Sequence, residues 1–226
     1  MPVLDCDFFS KLKIAFNTFN TSGHFLFSMR NCTLGILYDL FYFSQRTMNH
    51  FFLSAELRWF FEGSVPPPVH QWFHKSLLCS KPASRTDHYL VFPHTGKLGV
   101  KFRELRLEIK SLVGEAGVFS SGNAQGNIEY WEKWSSDPMP EFSATSQLQS
   151  DASWIQVQKS RVLRLFEMDK GGYEECDIRS GYIQLERGCQ MELTEILIRE
   201  LKYWSLGFEA FSSKKDHREV LAGTMN

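Results

Sequence analysis

Between Phe52 and Phe211 apolar and polar residues repeatedly alternate with a period of two, the mark of half-buried β-strands. In Phe52–Glu62, Leu57, Trp59 and Phe61 fall on one side, and Glu56, Arg58, Phe60 and Glu62 on the other. Gly63 and the prolines at 66 to 68 end that strand. Pro67 and Pro68 then open a predicted helix, Val69 to about Leu78, with Val69, Trp72, Phe73 and Leu77 as its buried stripe. A strand at His88–Phe92 leads to two short strands, Val100–Arg103 and Arg106–Lys110, facing each other across Glu104 and Leu105. A two-residue hairpin turn pairs Arg103 with Arg106, Phe102 with Leu107, Lys101 with Glu108 and Val100 with Ile109.

Further strands are expected at Ile128–Ser135 and at Trp154–Met168, the latter bent where its alternation fails beyond Lys159. Tyr182–Glu186 and Gln190–Thr194 flank Gly188 as another hairpin, and Leu206–Phe211 is the last strand. Val113–Asn127 reads as a Gly- and Ser-containing loop, residues 135 to 153 as a linker with Pro138 and Pro140, and Glu195–Tyr203 as a short amphipathic helix. Many antiparallel strands and few helices predict an α+β fold: an antiparallel β-barrel flanked by a few helices.

Residues 1 to 47 differ in character. Phe, Asn, Ser and Thr dominate, charges are sparse and neither period persists. A helix over Thr33–Phe43 would align Leu34, Leu37, Leu40 and Phe41, but its polar face lacks the Lys and Arg of a membrane-surface helix. The expectation is that this extension lies outside the fold, with translation starting at Met48. Residues 48 to 211 are expected to form one barrel domain, and 212 to 226 a polar, frayed tail.

Charge sharpens this picture. On the hairpin, Lys101, Arg103, Arg106, Glu108 and Lys110 share one face, and Val100, Phe102, Leu107 and Ile109 the other. Like charges on opposed positions are destabilising without a counter-ion, which a phosphate-rich anion would supply. Single faces elsewhere carry Glu56 and Arg58, Glu129 and Lys133, Lys159 and Arg161, and Glu192. If helices cover the apolar faces from outside, the charged faces point inward. Buried charge must be paired or bound to a ligand, and the result is a charged tunnel.

Composition bounds the alternatives. At 226 residues, 43% hydrophobic and 23% charged, the chain fits one soluble globular domain. A net charge of −1 excludes a bulk nucleic-acid binder. Five scattered cysteines without a CxxC pair give no disulfide framework or zinc site and point to a reducing, cytoplasmic setting. No apolar run approaches the roughly 18 residues of a membrane span. His70 and His74 are four apart on one helix but lack a third metal ligand in register. The glycines of Val113–Asn127 precede no GK[ST], so they make no phosphate loop.

Five stretches in order, AELRWF, KFRELRLEIK, IEYWEKW, VQKSRVLR, and CQMELTEI followed by WSLGFEAF, resemble the CYTH-like, or triphosphate tunnel metalloenzyme, superfamily. The resemblance implies an eight-stranded antiparallel barrel whose lumen holds a triphosphate and divalent metal. It implies that Lys101, Arg103, Arg106, Lys110, Lys133, Lys159 and Arg161 hold phosphate oxygens, and that Glu56, Glu108 and Glu192 hold Mg²⁺ or Mn²⁺. The partner would be a phosphorylated small molecule rather than nucleic acid or membrane. The family's first strand carries Glu-x-Glu-x-Lys, and the matching positions here are Glu56, Arg58 and Phe60. An arginine where metal should bind brings the wrong charge, and Arg58 becomes a possible extra phosphate clamp.

Three functions stay open on sequence: a silent binding module for a phosphorylated ligand, an active metal-dependent triphosphatase, and a structural barrel with internally paired charges. A chain shortened to begin at Met48 is expected to fold and to be at least as soluble as the full chain, since residues 1 to 47 add aromatics without a packing face. Circular dichroism and solubility measurements check this, and loss of folding on truncation would contradict it.

Overall fold

The computed structural model describes residues 50–91, 96–138, 153–169, 172–181 and 183–225. The extension at 1–47, its helix at Thr33–Phe43 and most of the linker at 135–153 lie outside the described residues. In order, the elements are β1 (His50–Glu62), α1 (Pro67–Phe73), β2 (Ala83–Leu90), β3 (Leu98–Arg103), β4 (Arg106–Ser121), β5 (Ala124–Ser135), β6 (Trp154–Asp169), β7 (Gly172–Cys176), β8 (Arg187–Ile198), β9 (Leu201–Ser212) and α2 (His217–Met225).

The strands form one sheet in the order β2-β3-β4-β5-β1-β9-β8-β6-β7, and β2 also pairs with β6. That pairing closes eight antiparallel strands into a barrel and leaves β7 as an extra strand. Closure removes the exposed edges of an open sheet. By packing, the chain divides into two compact units. Among the described residues, one comprises those from 50 to 52, from 88 to 111 and from 133 to 155; the other comprises those from 53 to 87, from 112 to 132 and from 156 onward.

The β3–β4 hairpin has the expected register, from Arg103 opposite Arg106 to Val100 opposite Ile109. Glu104 and Leu105 take φ values of 47° and 64°, the left-handed pair of a type I′ turn. In this unit Leu90, Val100, Phe102 and Leu107 form a buried cluster with Leu98, Ile109 and Trp154 against it. In the second unit a larger core joins Ala55, Leu57, Ile128, Val162, Met191, Leu193, Trp204 and Phe208 to Phe73 of α1 and to Val220 and Leu221 of α2. The helices thus cover the apolar face of the sheet, as the binary pattern requires.

Several elements differ from expectation. Val113–Asn127 is no loop: β4 and β5 run on to a tight turn at Gly122, whose φ is 56°. Gly188 turns no hairpin either, because Arg187–Ile198 is one strand, and the segment expected as the helix Glu195–Tyr203 instead holds the β8–β9 turn. The run Ile196-Leu197-Ile198 favours an extended chain, and Ile196 and Ile198 are buried there. Beyond Ser212, where a frayed tail was expected, α2 buries His217, Val220 and Leu221. The Tyr173 hydroxyl donates to the Glu219 carbonyl at 3.1 Å. The Tyr173 ring lies directly over Gly223, where any Cβ would collide with it. The first helix is also shorter than expected, ending at Phe73.

A left-handed backbone costs a non-glycine residue about 1–2 kcal/mol, and the Leu105 side chain at the turn is exposed. Glu104→Asn with Leu105→Gly is therefore expected to stabilise the protein by about 1 kcal/mol, raising Tm by about 2–4 °C. An unchanged or lower melting temperature would contradict the turn assignment.

Candidate functional site

On each strand the charged side chains lie opposite the hydrophobic clusters, since their positions alternate with the core residues. They are gathered around buried carboxylates.

In the first unit the centre is Glu108, only 7% exposed between Leu107 and Ile109. Its Oε2 lies 2.8 Å from Lys101 Nζ and 3.8 Å from Lys133 Nζ, and its Oε1 3.3 Å from Arg103 Nη1. Three cations thus converge on one carboxylate. Burial pushes the Glu108 pKa up, but Lys101, Lys133 and Arg103 outweigh it and hold the carboxyl below its ordinary range. Arg106 donates to the Ser136 carbonyl at 2.9 Å, while Lys110 occupies the same face of β4. Lys133 is the most open of the three cations around Glu108, with 39% of its side chain exposed.

In the second unit the face of β1, β9 and β8 is a grid set by strand register. Glu56 pairs with Glu209 and Glu209 with Gln190; Arg58 pairs with Gly207 and Gly207 with Glu192; Phe60 pairs with Ser205 and Ser205 with Thr194. Gly207 is the centre. A Cβ there would sit 2.5 Å from Arg58 Cζ, so the missing side chain is what lets the guanidinium lie across β9. Arg58 Nη1 donates to Glu192 Oε1 at 2.7 Å and to Ser205 Oγ at 3.2 Å. Thr194 Oγ1 donates to Glu192 Oε1 at 2.8 Å and Arg161 Nη1 to Oε2 at 3.1 Å. Ser54 Oγ donates to Glu56 at 2.8 Å.

Burial pushes Arg58 toward the neutral form, yet Glu192, Glu56 and Glu209 more than reverse this and hold its pKa above the ordinary value. For Glu192, burial raises the pKa, and Arg58 and Arg161 together bring it well below the carboxylate range. A third centre is Asp87, fully buried, with Lys159 Nζ at 3.4 Å and Arg85 Nε at 3.6 Å. Arg85 and Lys159 also line an open cleft of about 440 Å³ with Ser84, Ser160, Lys202 and Tyr203.

Most residues singled out from sequence thus join these centres: Lys101, Arg103, Lys133 and Glu108 in one, Arg58, Arg161, Glu56 and Glu192 in another, and Lys159 in the third. Asp87, Arg85, Glu209, Ser205 and Gly207 were missed. Arg85 and Asp87 fall before the strand start assigned at His88, and a glycine announces no chemistry until its cross-strand neighbours are known.

The carboxylates do not fit the metal role the resemblance implies. Mg²⁺ and Mn²⁺ need several converging oxygens, whereas Glu108 and Glu192 are engaged by lysine and arginine. Among the described residues no three His, Cys, Asp or Glu side chains are grouped to hold a metal ion.

No family model and no curated protein matches the chain. Among solved structures it is similar to Pct1 RNA triphosphatase of S. pombe, in the structure of that enzyme in complex with the Spt5 CTD. The similarity covers 90% of this chain and 88% of that one at 14% identity, with a TM-score of 0.33. So loose a likeness transfers no residue role. In fold, the chain is a closed eight-stranded antiparallel barrel, as the resemblance to the triphosphate tunnel superfamily implies.

Proposed function

We propose that the barrel binds a phosphorylated ligand of the triphosphate or polyphosphate kind and hydrolyses it weakly or not at all. The observation that carries this reading is the convergence of three cations on Glu108. Lys101, Arg103 and Lys133 face one carboxylate. An anion with several oxygens engages such a cluster through charge-assisted hydrogen bonds. Arg106 and Lys110, on the same face, extend the positive field. The Arg85–Lys159 wall of the cleft forms a second anion position.

Poor hydrolysis follows from the arginine on β1. Polarising a phosphoryl group and activating water is the metal's work in such chemistry, and Arg58 stands among the carboxylates that would hold one. A fixed guanidinium stabilises phosphate charge but generates no hydroxide.

The ion pairs also favour a second reading, in which the charges satisfy one another and the barrel is purely structural. Calorimetry with tripolyphosphate and with orthophosphate separates the two. The binding reading expects tripolyphosphate to bind more tightly than orthophosphate, and Lys133→Ala to weaken it by about 1.5–3 kcal/mol. Glu108→Gln, which removes the competing negative charge, is expected to tighten it. Absence of binding in all three proteins would leave the structural reading standing.

A further inference from the structure

Along the face shared by β1, β9, β8 and β6 the cross-strand rows change character toward one end. After the row of Arg58, Gly207 and Glu192 comes one that joins Phe60, Ser205, Thr194 and Arg161. The row beyond it joins Glu62, Tyr203, Ile196 and Lys159. Ser205 and Thr194 are buried, but the Phe60 side chain in their row is 47% exposed, so the face reaches solvent there. Single exposed apolar residues are ordinary on a protein surface. This ring, however, shares its face with Arg58 and Arg161, and the rows of Arg58 and Glu56 behind it carry no aromatic residue. It also stands diagonally across from Tyr203, a separation that aromatic side chains reach across. Tyr203 in turn lines the cleft of about 440 Å³ together with Ile196, Leu197, Arg85 and Lys159. That volume falls in the range of sites that enclose whole organic ligands, roughly 300–1,000 Å³, and is far more than one phosphate group fills.

We propose that Tyr203 and Phe60 form a stacking platform at this cleft, so that the ligand taken there is a phosphate ester of a planar aromatic ring system and not a bare inorganic anion. The inference rests on the reading of the Arg85–Lys159 wall as an anion position and adds which molecules fit it. β2 and β6 supply Arg85 and Lys159, held against the two oxygens of Asp87 at 3.6 and 3.4 Å, and these engage the phosphate. β8 and β9 supply Ile196, Leu197 and Tyr203, and these receive the ring. Stacking uses the π-face of the ligand and not its hydrogen-bonding edge. The platform therefore selects planar aromatic groups as a class, and Phe60 and Tyr203 are its specificity-determining residues.

Adenosine 5′-monophosphate and ribose 5-phosphate are the probes, because they share a phosphate and a sugar and differ in the ring system alone. Their affinities for the full-length chain are measured by calorimetry, with the weaker probe read by competition. The wild type is expected to bind adenosine 5′-monophosphate at least about tenfold more tightly, the usual worth of one stacked base. Phe60→Ala and Tyr203→Leu are each expected to bring that ratio toward one. Phe60→Leu, which keeps apolar bulk on the strand, is expected to do the same, and Phe60→Trp to keep the ratio or raise it. Structural damage would weaken both probes alike, so the ratio separates stacking from misfolding, and thermal melting of Phe60→Leu checks the fold directly. A wild-type ratio near one, or a ratio that survives in Phe60→Leu, would overturn the proposal and leave the anion position standing. Absence of binding by both probes would remove the anion position and the platform with it.

Discussion

A carboxylate taken out of water must be neutralised where it sits, or it costs several kcal/mol. Glu108, Glu192 and Asp87 are all at least nine-tenths buried, and each has two or three cations within 4 Å. This requirement orders the rest of the charged face. It fixes which long side chains turn inward, draws Arg58 over Gly207, and sets the register of β1, β9 and β8 against any slip, because a shift by one residue would bury the charges in the helix-covered core.

Such pairs are weak evidence of added stability, since desolvation consumes much of the Coulomb gain. Their value here is positional. In the proposed binding role a phosphoryl group would meet cations already held in place, so little side-chain freedom would be left to lose on binding. In that proposed role the same rigidity would count against metal-assisted chemistry in the β1–β9–β8 grid, where a guanidinium is already bound to Glu192.

Strand alternation made the barrel legible from sequence, and the β3–β4 hairpin was readable to the residue because both of its faces are uniform. Elsewhere a local signal was misread. Gly122-Asn123 is a sound two-residue hairpin turn, but the glycines around it made β4 and β5 look like loop. Glu195–Tyr203 fits a helical stripe and a strand turn equally well, and only the pairing of β8 with β9 decides. In α2, Val220 and Leu221 are too few to mark a helix among polar neighbours. At the site, residue types announced the cations and carboxylates, but who pairs with whom depends on cross-strand register. That is why Gly207 and Glu209 escaped notice, whereas Asp87 was missed because the strand was begun at His88 rather than Ala83.

The central claim is that Glu192 is held ionised by Arg58 and Arg161, and unfolding free energy as a function of pH tests it most directly. A carboxyl whose folded pKa lies below its usual value of 4.5 contributes stability that is fully present above that pH. The contribution is lost as the pH falls through the folded pKa, because the unfolded chain then binds more protons. The wild type is expected to lose stability steadily as acid is added below about pH 4.5, and Glu192→Gln, already weaker at neutral pH, to follow a visibly shallower slope. Parallel slopes for the two proteins would mean that Glu192 is not an ion-paired carboxylate in the folded barrel.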